Sequence, residues 1–275
     1  MNPLASYPRT ADLAFWINER EAMRHRREAY MAPPWSADPD MAEVRYCNVH
    51  REDDKITRYI RSSGTYSGPS VPVWTVVLAR MVNRVTTLAR LAPAVGRADL
   101  EEIKRILKEL RVTDRIWGNA YTISTCGKSM DKVDYVIDHV VLAFMQAGEP
   151  EFDTLAACFE NMTNVNGFGS FLAAQVVADL KNTPGHPLQQ AADWFTWCAP
   201  GPGSLKGLAA FYGRASTPGT FDIDIAACYT LTVPLVVDKN IHMQDFQNCL
   251  CEFSKYIRVR EGGRARNNYV ARHPS

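Results

Sequence analysis

Apolar residues recur at the three- and four-residue spacing of α-helices over much of this chain. The clearest example covers residues 100–110 and directly follows Asp99, a residue type that often caps helices. The same spacing occurs in three further segments, residues 73–91, 135–145 and 246–257. Alternating strands with hairpin turns are nearly missing, and the best strand candidate, residues 231–237, contains Pro234. The sequence therefore predicts an all-α fold.

Composition excludes several classes of protein. Hydrophobic residues make up 46% and charged residues 22% of the 275 residues, which is typical of a globular chain and not of a disordered one. No apolar stretch reaches the eighteen residues of a membrane span, and no secretory signal is visible at the start. Seven cysteines cannot all pair within one chain, which favours free thiols in a reducing cytoplasm. We predict one domain, residues 1–275, with an N-terminal extension over residues 1–42.

The strongest local motif is a predicted helix-hairpin-helix at residues 151–181. Residues 152–162 and 170–180 are expected to form its two helices. Glycines in the turn allow unusual backbone angles and bring backbone N–H groups close to a phosphate oxygen at the second helix. The predicted DNA contacts are Asn166, Gly167, Phe168, Gly169 and Ser170. The alternative is an ordinary helix–loop–helix.

An aspartate and two tryptophans follow the hairpin. Asp193 lies beside Trp194 and close to Trp197, so its carboxylate could serve as a desolvated base while the indole rings stack on nucleobases. The alternative interpretation is that Asp193 caps a helix and the tryptophans fill the core.

A Gly-x-Gly hairpin followed by an aspartate resembles the helix-hairpin-helix DNA glycosylase superfamily. Residues 45–58, 166–171 and 249–260 resemble a phage-associated branch of it. That branch comprises the α-glutamyl/putrescinyl-thymine pyrophosphorylases, or amino acid:DNA transferases, and related helical domains accompany hydroxymethyluracil DNA kinases. The resemblance implies a helical glycosylase-like fold.

The resemblance also implies a reaction. An amino acid, with glycine favoured, is transferred onto 5-pyrophosphoryloxymethyl-uracil in phage DNA, and pyrophosphate is released. The implied partners are double-stranded DNA containing modified thymine, a free amino acid and other phage modification enzymes, in the cytoplasm of the infected host cell and without a membrane. The amino acid is a co-substrate; no cofactor is assigned, and a divalent cation is left open.

Pyrophosphate requires fixed cations, and one polar helix face could supply them. If residues 44–60 form one helix, four polar residues recur at steps of three, four and three on one face, with Arg45 one turn earlier. These four are Asn48, Arg51, Lys55 and Arg58. The alternative is a solvated helix face with salt bridges.

The last predicted helix carries a second charged group. Glu252, Lys255 and Arg258 are spaced three apart, so Glu252 could accept a proton while Lys255 and Arg258 stabilise pyrophosphate. A plain intrahelical ion pair is the alternative. Six basic residues and one acidic residue between 255 and 272 give a local charge of +5, which extends into a basic tail at residues 262–275. Further predicted DNA contacts are Lys206, Arg264 and Arg266.

Other readings of the sequence remain. The chain could be a base-excising glycosylase that uses Asp193, or a DNA-binding module without catalysis. Cys47 or Cys251 could act as a nucleophile. Residues 126–129 end like a nucleotide-binding loop, but Thr122 stands where its first glycine belongs, so we predict no kinase site there.

Overall fold

The computed structural model describes residues 7–120 and 123–264, and all regular structure within these ranges is helical, which confirms the all-α prediction. The α-helices are α1 (Thr10–Glu28), α2 (Pro39–Ala42), α3 (Lys55–Ser62), α4 (Val73–Val82), α5 (Val85–Val95), α6 (Leu100–Thr113), α7 (Lys132–Asp134), α8 (Leu142–Ala147), α9 (Leu155–Thr163), α10 (Ser170–Lys181), α11 (Pro202–Tyr212), α12 (Phe221–Thr232) and α13 (Met243–Arg260). A π-helix covers Tyr135–Val141, and 3₁₀ turns cover Arg51–Asp53, Pro187–Gln190 and Val233–Leu235. None of these described helices has both the length and the apolar character that a membrane span needs.

The chain divides into two compact units, where the sequence predicted one domain. Unit 1 comprises Met1–Asp54 and Cys198–Ser275, and unit 2 comprises Lys55–Trp197. Each unit has its own cluster of buried apolar side chains. The segment expected to be an N-terminal extension contains α1, which buries Leu13 and Trp16 in the core of unit 1.

The core of unit 1 forms where α13 packs against α11. The apolar stripe predicted in residues 246–257 is buried along α13. A Cβ atom on Gly207 would lie 2.1 Å from the carbonyl oxygen of Leu250, so a glycine is needed where the two helices meet. This close contact fixes α13, which carries Glu252 and Lys255.

Unit 2 contains a buried ion pair between α4 and α10. The Arg80 guanidinium donates to both carboxylate oxygens of Asp179, at 2.5 Å for Oδ1, and to the Thr57 hydroxyl at 2.8 Å. Arg61 donates to the Asp179 carbonyl oxygen at 2.6 Å and to the Thr183 hydroxyl at 2.7 Å. The Asp179 carboxylate therefore links α3, α4 and α10.

Two predicted segments differ from the observed structure. The segment at residues 73–91 is split into α4 and α5 at Asn83, whose φ of +48° cannot continue a helix. The freed carbonyl of Val82 accepts a hydrogen bond from the Gly118 N–H at 2.8 Å. Residues 231–237, the strand candidate, instead end α12 and form a 3₁₀ turn, which accommodates Pro234.

Replacing Asp179 by asparagine should destabilise unit 2 by about 3–5 kcal/mol, because the buried Arg80 charge loses its partner. The free energy of unfolding from urea denaturation measures this effect. Glu101→Gln is the control, since its side chain is 84% exposed and its loss should change stability by less than about 0.5 kcal/mol. Equal stability of the two variants would contradict the structural role assigned to Asp179.

Candidate functional site

Glu252 and Lys255 form a charged pair on α13 in unit 1, as the helical spacing predicted. The Glu252 Oε2 atom accepts from the Lys255 ammonium at 2.7 Å and from the Cys47 backbone N–H at 3.0 Å. Glu252 is only 6% exposed, whereas the Lys255 side chain is 30% exposed. Lys255 also donates to the Arg45 carbonyl oxygen at 3.2 Å and lies 5.2 Å from the centre of the Tyr46 ring. A carboxylate and an ammonium are thus held together near the surface.

The helix predicted at residues 44–60 is wrong for its first part. Residues 44–50 are not helical, a 3₁₀ turn covers Arg51–Asp53, and α3 begins at Lys55. Side chains of the C-terminal part of unit 1 bind this segment: the His50 imidazole lies 3.2 Å from the Asp245 carboxylate and 3.0 Å from that of Asp238. The Arg51 N–H donates to Asp245 at 3.1 Å. These tertiary hydrogen bonds replace the helical ones that sequence spacing suggested.

The four polar residues therefore do not lie on one face of a single helix. Asn48 accepts from Arg20 at 2.5 Å and donates to the Asp53 carbonyl oxygen at 2.9 Å, both within unit 1. Arg51 lies in unit 1, whereas Lys55 and Arg58 belong to α3 of unit 2. The exposed Arg45 and Arg258 lie in unit 1.

Cys47 and Cys251, the two candidate nucleophiles, both have a raised thiol pKa. Desolvation and the Glu252 carboxylate raise the pKa of the Cys47 thiol to about 12, although Cys47 is an exposed residue. Burial likewise raises the pKa of Cys251. Because the thiolate is the reactive form, these shifts argue against cysteine nucleophiles at neutral pH.

In unit 2, two helices flank a glycine turn in the range predicted for the hairpin. Gly167 has a φ of +85°, and a Cβ atom there would lie 2.8 Å from the Tyr135 hydroxyl oxygen. Tyr135 donates to the Gly167 carbonyl oxygen at 3.4 Å. Asn166, Gly169 and Ser170 are exposed at the start of α10, where the first backbone N–H groups lack intrahelical partners.

The side chain of Phe168, one of the predicted DNA contacts, belongs to the core. Its side chain is buried, and its ring packs edge-to-face on Phe144 at 4.8 Å between centroids. The sequence could not separate this core position from its exposed neighbours in the same turn. DNA binding by the other turn residues stays a prediction.

Asp193 and the two tryptophans make structural contacts in unit 2. Asp193 accepts from the N–H groups of Leu155 at 2.7 Å and Ala156 at 3.0 Å, so it caps α9. The Trp194 indole donates to the Lys181 carbonyl oxygen at 3.0 Å, and the Trp197 ring lies 5.3 Å from that of Phe159. These are the contacts of the alternative that the sequence left open, while base stacking and catalysis stay predictions.

The predicted site residues divide between the two units. Unit 1 contains Arg45, Asn48, Arg51, Lys206, Glu252, Lys255, Arg258 and Arg264, and unit 2 contains Lys55, Arg58, Asn166, Gly167, Phe168, Gly169, Ser170, Asp193, Trp194 and Trp197. Arg266 lies outside the described residues, as does most of the basic tail. A cavity of about 340 Å³ between α5 and α6 and one of about 310 Å³ beside α1 contain none of these residues in their walls.

Sequence reasoning missed the anchoring role of His50 and Asp245. Neither residue stood in a spaced motif, because they are 195 positions apart and meet only in the folded unit. A hydrogen bond to Asp245, reinforced by nearby carboxylates, raises the pKa of His50 to about 9 against the cost of burial.

Changing Asp193 to alanine should destabilise unit 2 by about 1 kcal/mol, the usual effect of losing a helix cap. Urea denaturation gives the difference in unfolding free energy. Asp153→Ala removes the same charge two residues before α9 from an exposed position, so it serves as the control. If Asp153→Ala lowers the unfolding free energy as much as Asp193→Ala, negative charge and not the hydrogen bonds of Asp193 stabilises the helix.

Unit 1 should lose stability as the pH rises from about 6.5 to 9, because the folded protein binds the His50 proton more tightly than the unfolded chain. The contribution is complete below pH 6.5 and is on the order of 2 kcal/mol after allowance for solvent screening. Comparing unfolding free energies of the wild type and His50→Gln across this range isolates the effect. A pH-independent difference would exclude the proposed protonation.

The model of a family described as "5-hmdU DNA kinase, helical domain" matches residues 8–264. No curated protein and no solved structure shows significant similarity to the chain. The match relates the chain to an enzyme of DNA modification and does not extend to the glycosylase branch of the resemblance. With nearly the whole described chain matched, this protein belongs to the family of 5-hmdU DNA kinase helical domains.

Proposed function

We propose that this protein modifies phage DNA by transferring an amino acid, with glycine favoured, onto 5-pyrophosphoryloxymethyl-uracil with release of pyrophosphate. Its family supports a role in thymine modification. The observation that carries the transferase proposal is the Glu252–Lys255 pair, in which a largely buried carboxylate lies 2.7 Å from a partly exposed ammonium. Such a pair combines a proton acceptor with a cation for a leaving phosphate group.

The reaction proceeds on a base flipped out of the DNA helix. The uracil ring supplies the electron pair that breaks the C–O bond to pyrophosphate, and an exocyclic methylene remains. The amine of the amino acid adds its lone pair to this methylene, a C–N bond forms, and the electron pair returns to the ring. Glu252 accepts the proton that the ammonium group of the amino-acid substrate loses. Lys255 balances the charge of the departing pyrophosphate.

Glu252 is a better candidate for the base than Asp193. The Asp193 carboxylate already accepts two backbone N–H groups at the start of α9, and protonating it would weaken that cap. The backbone carbonyl oxygen of Arg45 accepts from Lys255, and Arg258 lies one turn after Lys255 on α13. This proximity to Lys255 supports Arg45 and Arg258 as pyrophosphate ligands. The hairpin turn, Lys206 and Arg264 are proposed to contact the DNA backbone.

A second candidate function is a DNA-binding module without catalysis. Two observations favour it: Asp193 has a structural role, and the matching family describes a helical domain and not a kinase catalytic domain. Such a module would bind DNA with a steep salt dependence and leave its bases unchanged. A glycosylase would instead release a free base.

Incubation with pyrophosphorylated 5-hydroxymethyluracil DNA and an amino-acid mixture, followed by mass analysis of the nucleosides, tests the proposal. We expect an aminoacyl adduct in the wild type and a loss of about 10²-fold or more in rate for Lys255→Gln, the scale of losing one charge stabiliser. Arg97→Gln, which removes an exposed charge from the turn after α5, should keep the wild-type rate. DNA binding without any adduct would support the module, and free base would support the glycosylase.

A further inference from the structure

The turn at residues 125–128 in unit 2 holds one lysine in a fixed position. Cys126 and Gly127 have φ values of +51° and +80°. The Lys128 N–H donates to the Thr125 carbonyl oxygen at 3.0 Å, and the Thr125 hydroxyl donates to the Lys128 carbonyl oxygen at 2.8 Å. The segment that only resembles the end of a nucleotide-binding loop is thus a closed turn that presents Lys128 to solvent.

Lys128 is paired with a histidine and not with an acid. Its ammonium lies 3.3 Å from Nδ1 of the exposed His139. An ammonium can only donate, so Nδ1 of His139 accepts and the ring proton is on Nε2. The pair therefore presents a positive charge and an N–H donor to the solvent.

The acidic residues of this segment are all engaged by bases of α6. Three ion pairs achieve this: Asp131 with Arg111, Asp134 with Lys108 at 2.5 Å, and Asp138 with Lys104 at 3.0 Å. Within residues 7–120 and 123–264, no carboxylate lies within 4.0 Å of Lys128, Lys132 or His139. The ammonium groups of Lys128 and Lys132 therefore have no ion-pair partner among the described residues.

A π-helix links the Lys128–His139 pair to the hairpin turn. Tyr135 and His139 both lie on it, with ring centroids 5.8 Å apart. The Tyr135 hydroxyl donates to the Gly167 carbonyl oxygen in the hairpin turn at 3.4 Å. π-Helices are rare and occur frequently at functional sites, because their wider turn redirects side chains. His139 therefore lies beside Tyr135, whose hydroxyl contacts the glycine turn.

We propose that Lys128 and His139 bind oxygens of the DNA phosphate backbone beside the hairpin turn, with Lys132 as an additional exposed cation. The ammonium and the Nε2–H group are both donors for a phosphodiester, and such contacts position DNA without reading its sequence. This inference rests on the DNA binding in the proposed function and adds a contact surface to it. Free pyrophosphate offers the same oxygens, so the experiment must separate the two sources.

The test is a titration of duplex DNA between about 50 and 200 mM salt with the wild type, Lys128→Gln/His139→Gln and Arg90→Gln. We expect the double variant to bind about three- to tenfold more weakly, with a log–log salt slope lower by about 0.9, the value of one lost phosphate contact. Arg90→Gln removes one exposed charge from α5 of the same unit and should keep the wild-type slope. Lys128→Arg should also keep it.

Two outcomes would overturn this inference and leave the proposed function standing. One is wild-type DNA affinity in the double variant. The other is an equal loss of DNA affinity in Arg90→Gln, which would indicate an effect of net charge only. Competition with inorganic pyrophosphate forms the second arm. If the double variant weakens pyrophosphate binding and leaves DNA binding unchanged, the pair binds the leaving group and not the backbone. A wild type that does not bind DNA would refute the proposed function as well. Thermal unfolding checks that the variants fold, which the exposure of both residues favours.

Discussion

Hydrogen bonds from irregular backbone to buried carboxylates position most of the candidate site in this protein. A backbone N–H that leaves a helix needs another acceptor, and a buried one without a partner costs free energy. Glu252 accepts from Cys47, and Asp245 accepts from Arg51, so α13 fixes the segment before α3. Asp193 does the same for the start of α9 in unit 2. Acidic residues that suggest catalysis in the sequence therefore also serve as structural acceptors.

This double role changes the relative weight of the candidate residues. The Asp193 carboxylate is engaged by two backbone N–H groups at the start of α9, where a helix dipole favours negative charge. One oxygen of Glu252 instead accepts from a backbone N–H and from the Lys255 ammonium. The lysine side chain is partly exposed, so it has room to move when the charge of Glu252 changes. For this reason the proposed chemistry is assigned to α13, and contacts to DNA are proposed for residues of both units.

The sequence predicted helices better than it predicted the site. Periodic segments such as residues 100–110 became helices because one apolar stripe suffices to bury them. The spacing of Asn48, Arg51 and Lys55 also fits a helix, yet their segment is bound by His50 and Asp245 contacts that no local pattern records. Phe168 shows the same limit, since its burial depends on Phe144 and not on its neighbours in the turn.

The amino-acid sequence by itself determined the all-α fold, the stripe buried on α13, the cap at Asp99 and the Glu252–Lys255 pair, because all of these depend on residues a few positions apart. Only the tertiary structure decided that the chain forms two units, that Asp193 caps α9 and that Lys128 meets His139 beside the hairpin. These features join residues distant in the chain or depend on local backbone geometry such as the π-helix. Burial and charge pairing between distant residues stabilise these features, and local sequence patterns do not predict such contacts.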